Sequence, residues 1–540
     1  MACGGSEVTR RCLLIGLDGA TFSILDPLME DGAMPFLKQF VESGTRAELH
    51  SVIPPLTPPA WASIMTGRSP GNHGVFDFVT FESPDSRYVR FSSSSHLRCE
   101  TIWSMVSRQG LSATALNFPL MAPTRPISGC VVPGWVPWRH LRRYCYPNSL
   151  YQHLQALPAF NVKQLAIDLD MEQKALDGCP PEEQVEWVRS HLQRERQWFE
   201  ILAYLMRTKP HHLTAVVFDG VDKLQHLFWR LLDPACPSRG RSPWEEEVRK
   251  LCLDYFRQLD GIIAEIVALA GDGANVFMVS DHGFGPSQEI FYVNNWLSQN
   301  GYLTWTGNGP DNQDTSTELG LSLGMLGSLD SMIDWSRTTA YARTPYSYGI
   351  HICVGGRRGR EGIDEAEYPM FRKRLMDALG RFSDPKSKEL VVTDVWTREE
   401  AFPGKLTDLA PDLTFWLRDG GVPSTVKSDA LLRHRAEPVG SHRSKGIFLA
   451  RGPAVAKRAR LPQVSVLDVT PILLYALGLP IPEDLEGQVP REMFESSFVR
   501  THPIVTGEPT HAPEAFPSPA ADGDGEEEIV TRLKALGYLD

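Results

Sequence analysis

Two pairs of residues in this 540-residue chain have the spacing of metal ligands. Asp222 and His226 stand four apart, which on a helical turn puts both side chains on one face. Asp281 and His282 are adjacent, and Gly283 and Gly285 let the backbone behind them turn tightly beside a ligand. A lone Asp-His pair is more often a hydrogen-bonded surface pair, but each of these follows a buried-strand signal. Asp18, at the end of an apolar run, and His442, in Gly440-Ser441-His442-Arg443-Ser444-Lys445-Gly446, extend the set. Thr57 adds a hydroxyl just before Pro58, Pro59 and a helix-compatible run that ends at Gly67. Threonine suits an N-cap, proline the first turn and glycine the exit, so a capped helix accounts for the segment. The same placement also sets the hydroxyl in the positive field of a helix N-terminus, which favours an alkoxide and an incoming phosphate oxygen.

Other histidines fit less well. His434 lies near His442 but in a charged stretch with no strand directly after it. His73, in Gly71-Asn72-His73-Gly74, reads as a structural hydrogen bond in a turn. His211 and His212 precede a strand, which sends them to the opposite edge of the sheet.

The elements that must position these groups share one grammar. Cys12 to Leu17, Thr214 to Phe218 and Ala274 to Val279 are short apolar, β-branched runs that end on carboxylates, as buried parallel strands do. In an open parallel sheet ligands bind beyond the carboxyl ends of the strands. Three strands therefore deliver acids to one edge. Between them, Glu183 to Met206 and Trp244 to Leu269 carry apolar residues at helical spacing. Strands alternating with helices indicate an α/β fold: an α/β/α sandwich with a mostly parallel central sheet. A catalytic domain of residues 1–508 is expected, with cap insertions over about 77–161 and 291–362, both rich in aromatics, Gly, Pro and Arg. Val464 to Leu479 reads as a late helix. Residues 509–540 read as a Pro/Ala/Gly/acid linker, to Asp524, followed by an amphipathic C-terminal helix from Glu526 to Tyr538.

A formal charge of −12 excludes a surface that coats nucleic acid. Nine cysteines without a CxxC pair do not form a disulfide framework. The run after Arg10 and Arg11 stops at Asp18, too short for a signal-peptide core, and no uncharged stretch is long enough to span a bilayer. A cytoplasmic location is the expectation; the oligomeric state is not legible.

The ordered set of strand-end Asp18, Thr57 before a helix, Asp222-x-x-x-His226, Asp281-His282-Gly283 and a late Gly440-Ser441-His442 resembles the alkaline phosphatase superfamily. Within it the chain is similar to the type I phosphodiesterase/nucleotide pyrophosphatase group, and especially to its branch of phosphohydrolases and phosphomutases. The likeness runs from about Cys12 to Gly487. Arg532-Leu-Lys-Ala-Leu-Gly-Tyr538 also looks like endings in that branch. The resemblance implies two divalent ions, one held by Asp18, Thr57, Asp281 and His282, the other by Asp222, His226 and His442. It implies Thr57 as the nucleophile of a double displacement through a phosphothreonine. Three carboxylates and three imidazoles suit Zn²⁺ first and Mn²⁺ second, rather than Mg²⁺. Two such ions bring about +4, three carboxylates remove about 3 and an ionised Thr57 about one, which leaves a site that a small phosphorylated substrate can enter.

The chain departs from the nucleotide pyrophosphatases in having no Asn between Thr57 and Ser63 to donate to a phosphate oxygen. Arg357, Arg358 and Arg360 can supply phosphate contacts, or form a solvated Gly/Arg loop. A phosphodiester is the expected substrate. A phosphomonoesterase or a cofactor-independent phosphomutase is the alternative on the same fold. A non-catalytic scaffold would show lost ligands, and none is lost. The Thr57 context is not that of a sulfatase, whose nucleophile is a modified Cys or Ser.

Overall fold

The computed structural model describes residues 10–81, 89–165, 171–172, 174–175, 178–236, 240–306, 331–355 and 362–513. Its centre is an eight-stranded sheet built from β1 (Arg11–Leu17), β2 (Thr45–His50), β3 (Ala113–Leu116), β4 (Gly129–Val132), β5 (Leu213–Phe218), β6 (Ala274–Val279), β7 (Lys445–Arg451) and β8 (Val464–Ser465). Their spatial order is β8-β2-β7-β6-β1-β5-β3-β4. Only β7 runs against its neighbours. The three strands read from sequence as acid carriers are therefore adjacent and parallel, with β1 between β5 and β6.

Every residue of β5 and β6 is buried, which explains their uninterrupted apolar runs. Side chains of β1 alternate between two cores. Leu13, Ile15 and Leu17 face the layer of α2 (Pro181–Thr208), α3 (Gly220–Leu232) and α4 (Pro243–Ala270). Cys12 and Leu14 face the layer that contains α1 (Thr57–Thr66). The α/β/α sandwich expected from sequence is the observed architecture.

A second core spans Phe291 to Leu417 and packs on a four-stranded sheet whose strands come from residues 340–417. It is joined to the first by a long strand pair, Gly283–Tyr292 against Leu432–Arg443. That pair leaves the acid-bearing edge after β6 and returns to it just before β7. The expected late helix is shorter than the apolar segment suggested: it covers Val469–Leu477, because Val464–Ser465 is taken as an edge strand beside β2. The expected terminal helix, and most of the linker before it, fall outside the described residues.

One contact ties the sheet directly to α1. A Cβ added at Gly16 would lie 2.4 Å from Trp61 Cη2 and 2.9 Å from Val217 Cγ2. Only a bare backbone lets the indole pack over β1, from where its Nε1–H reaches Asp18. Gly16→Val should therefore lower stability by about 1–3 kcal/mol through overpacking. It should also weaken divalent-metal binding, because the displaced indole is the one that holds Asp18. Denaturant midpoints and metal titration check the two effects separately.

Candidate metal centre

β1, β5 and β6 end at one edge, and the residues that follow them supply the carboxylates. Asp18 follows β1, Asp281 lies two residues beyond β6, and Asp222 lies in the first turn of α3, which starts where β5 stops. All three carboxylates are buried. Asp222 and His226 share a face of α3 as their spacing demands. His282 follows Asp281, and His442 arrives at the end of the strand Leu432–Arg443.

Each histidine is aimed by its outer ring nitrogen. His226 Nδ1 lies 3.3 Å from Gly440 O, His282 Nδ1 3.1 Å from Gly283 O and His442 Nδ1 2.9 Å from Pro55 O. A carbonyl only accepts, so each Nδ1 carries the proton and each Nε2 turns a lone pair inward, the tautomer a metal ligand requires. The Nε2 atoms of His226 and His442 each stand 3.4 Å from Asp222 Oδ1. His282 Nε2 stands 3.3 Å from Asp281 Oδ2 and 3.6 Å from Asp18 Oδ1. The two groups touch: His282 Nε2 is 4.0 Å from Asp222 Oδ1, and the His282 and His442 rings stack with centroids 3.7 Å apart.

The carboxylates are divided in the same way. Asp18 Oδ2 accepts from Trp61 Nε1–H at 3.2 Å, and Asp281 Oδ1 from the Gly19 amide at 3.2 Å. Asp222 Oδ2 faces the Lys223 ammonium at 3.6 Å. The opposite oxygens, Asp18 Oδ1, Asp281 Oδ2 and Asp222 Oδ1, are buried without a hydrogen-bond partner. Three orphaned carboxylate oxygens and three inward imidazole nitrogens therefore converge, in two groups whose ligand atoms lie within 4.8 Å of one another. Orphaned buried oxygens are costly on their own, and divalent cations are the partners that fit this donor set.

Thr57 lies at the junction. It is the first residue of α1, with Leu56 as the cap, and its side chain makes no capping bond. Its Oγ1 instead lies 3.1 Å from His282 Nε2. The expected helix and its Gly67 exit are observed, but Thr57 is not its N-cap: Leu56 takes that place, and the hydroxyl turns to His282 instead.

The electrostatics are strained in one direction. Burial, then the charges of Asp281 and Asp222, hold the Asp18 carboxyl well above the usual range; burial does the same for Asp281. Burial acts on Asp222 in the same sense, and the Lys223 ammonium beside it acts against it. Burial keeps His282 and His442 neutral.

The remaining candidates fall elsewhere. His434 sits half exposed beside Glu289 and Asp384, and Arg418 already bridges those two carboxylates at 2.6 Å and 3.2 Å. His73 Nδ1 accepts from the Val75 amide, so its Nε2–H faces Ser63 Oγ at 3.1 Å and ties α1 to the following turn. Arg357, Arg358 and Arg360 lie outside the described residues. Sequence reasoning missed Lys223, the cation that stands beside Asp222. Its signal was its place next to a strand-end acid, which carries the side chain toward the same edge.

The family described as type I phosphodiesterase/nucleotide pyrophosphatase matches residues 12–445. The chain belongs to that family. In fold it is similar to phosphonoacetate hydrolase from Sinorhizobium meliloti 1021, whose crystal structure holds phosphonoformate (TM-score 0.51, 16% identity, 87% of this chain and 96% of that one). It is also similar to murine ectonucleotide pyrophosphatase/phosphodiesterase 5 (TM-score 0.50, 16% identity, 90% and 100%) and to the human protein of that name (0.50, 15%, 90% and 100%). As a type I phosphodiesterase-family member it is a hydrolase of the alkaline phosphatase superfamily, and its paired Asp/His groups are consistent with a binuclear centre.

Beside this centre, Asp77 joins the two halves of the protein. Its carboxylate accepts from the Phe78 amide at 2.6 Å and from Thr344 Oγ1, which is itself 3.1 Å from Ser347 Oγ. Burial pushes Asp77 up from 3.8 to about 7. The folded state then binds a proton that the unfolded chain has released, so this group's contribution to stability falls as pH rises from 3.8 to about 7. Asp77→Asn should remove that part of the slope. Thermal unfolding of wild type and variant across this window should converge toward the acid end and separate toward pH 7, with the variant the less pH-dependent of the two.

Proposed function

We propose that this family member hydrolyses phosphate esters at two divalent ions, Zn²⁺ by preference and Mn²⁺ as the alternative, with Thr57 as nucleophile. One observation carries the reading. The inward nitrogens of His226, His282 and His442 and the orphaned oxygens of Asp18, Asp222 and Asp281 form two adjoining groups, and the Thr57 hydroxyl stands 3.1 Å from His282 Nε2 in one of them. Asp18, Thr57, Asp281 and His282 would hold one ion, and Asp222, His226 and His442 the other. When bound, such ions supply Lewis acidity and lower the pKa of a coordinated hydroxyl.

The chain's own groups do the rest. The N-terminus of α1 fixes Thr57 Oγ1 and favours negative charge on it and on the arriving phosphoryl oxygens. The Pro55 and Gly283 carbonyls hold His442 and His282 in the tautomer that leaves Nε2 free. Lys223 offsets one of the three carboxylates, so that a phosphorylated substrate meets less repulsion. With a diester, attack by Thr57 on phosphorus expels the first alcohol and leaves the threonine joined to a phosphoryl group that keeps the second ester; water then releases that phosphate monoester and restores the threonine hydroxyl.

The preferred substrate in this proposal is a small phosphodiester. Phe78 and Trp135 stack at 6.0 Å and 5° between planes, Tyr346 joins Phe78 at 5.3 Å, and Lys223 Nζ lies 5.9 Å from the Trp135 ring. This aromatic shelf, linked through Lys223 to Asp222, offers apolar area for the second ester group. Trp138, which the sequence also suggested for that role, is instead exposed between Arg139 and Lys163. A cytoplasmic setting remains part of the proposal and rests on cysteines placed as separate thiols.

Thr57→Ala should be folded, should bind metal and should lose nearly all turnover, whereas Thr57→Ser should keep measurable activity. Chelation should abolish turnover and Zn²⁺ or Mn²⁺ restore it; full activity in metal-free protein would reject the two-ion reading. For substrate class, the comparison is kcat/KM for a bis-aryl phosphate against its aryl monoester on one preparation. The diester should lead; a monoester lead of about tenfold, roughly 1.4 kcal/mol in transition-state binding, rejects the diesterase assignment.

A further inference from the structure

A dense set of buried charges lies where β5 turns into α3, and none of its members is among the proposed ligands. Arg194 and Glu195 are consecutive on α2 and are 4% and 1% exposed. Both reach the junction where β5 becomes α3. Arg194 pairs through Nη1 with Asp219, the residue that precedes α3, and donates through Nε to Leu165 O at 3.0 Å and through Nη2 to Asn117 Oδ1 at 3.3 Å. Asn117 passes the grip on by donating to Val217 O, in β5, at 2.8 Å. Glu195 Oε1 accepts from the Gly220 amide, the first of α3, and from Tyr255 Oη–H, both at 2.8 Å.

The helix needs an outside hold. Asp219 makes no side-chain cap bond, and the helical geometry breaks at Phe228 (φ −117°, ψ 20°). Asp222 and His226 therefore ride on a short regular stretch whose start is fixed only by what meets it. Burying an Arg, an Asp and a Glu together is no gain in stability over apolar side chains of similar volume. Their geometric effect is specific, because Arg194 holds Asp219 directly and Val217 through Asn117 while Glu195 holds the Gly220 amide, so that together they grip one helix terminus and the strand that feeds it.

We infer that Arg194 and Glu195 are positioning residues for the Asp222–His226–His442 pocket: by fixing the first turn of α3 they set that pocket's affinity for a divalent ion without setting that of the Asp18–Asp281–His282 pocket. This rests on the reading that both groups bind metal. Outer partners that orient ligands typically change metal affinity about 10–100-fold when removed. A merely structural role would lower the stability of the whole fold and weaken both ions together.

The test is Zn²⁺ titration of the full chain against a chelating indicator, with folding followed by circular dichroism. One variant is the double substitution Arg194→Met with Asp219→Asn, which leaves no buried charge of that pair alone; the second is Arg194→Lys, which keeps the charge but not the bonds to Asn117 and Leu165. The double variant should bind one ion about 10–100-fold more weakly and the other within about threefold of wild type. Arg194→Lys should fall between it and wild type. Adding the double substitution to His442→Ala should cause no further loss, because the same ion is already gone. Equal weakening of both ions, unchanged binding in a folded variant, or a further loss on top of His442→Ala overturns the inference; if the double variant does not fold, Arg194→Lys decides it alone. Wild-type protein that binds fewer than two ions overturns the two-ion reading itself, and the inference with it.

Discussion

Three carboxylates of like charge are buried at one edge of one sheet, and the rest of the molecule follows from that constraint. Unit charges about 5 Å apart repel by on the order of 3 kcal/mol at an effective dielectric of about 20. A loop would answer such repulsion by moving apart. Asp18, Asp222 and Asp281 cannot, because each is fixed by a strand of the same ladder or by the helix turn that follows one. The unbroken apolar runs of β5 and β6 are what make this possible, since strands buried on both faces leave no room for the edge to relax.

The surroundings of the centre divide its polar atoms into two shells. Outer oxygens and outer ring nitrogens are spent on Trp61, Gly19, Lys223 and three backbone carbonyls. The inner carboxylate oxygens are left with no hydrogen-bond partner. A site that merely stored charge would satisfy both kinds of atom, as the Glu289–Asp384–Arg418 group does with its own cation. The contrast between those two clusters separates a centre built to receive something from one already complete.

Much of this was legible in the sequence because strand-end acids and an i, i+4 pair are local patterns. Asp18 and Asp281 close two apolar runs and Asp222 follows a third within one helical turn, and those runs became neighbouring parallel strands. What could not be read depends on distant partners. The Nδ1 tether of His442 is the carbonyl of Pro55, 387 residues away. The choice between His434 and His442 turns on which end of one strand reaches α3, a matter of register. Thr57 looked like an N-cap by residue type, and only the position of Leu56 shows that its hydroxyl is turned to His282 rather than to the helix amides. The late helix was overcalled because Val464 and Ser465 are as apolar or small as helix residues, yet the free edge of β2 claims them.

β7 is the one strand of the central sheet that runs against its neighbours, and the late place in the chain of the strand that leads into it sets an order of assembly. His442 comes to the edge from the far side of the long excursion that contains the second core, and it meets His226 across 216 residues of chain. Synthesis proceeds at about 5–20 residues per second from the N-terminus, so the three acids, Thr57 and two of the imidazoles exist before the last imidazole does. Until the returning strand pairs with Gly283–Tyr292, one half of the centre has an acid and a single histidine. The complete set of ligands thus arises only once the strand that follows the second core has paired with Gly283–Tyr292, and loading of that half reports that this closure has been made.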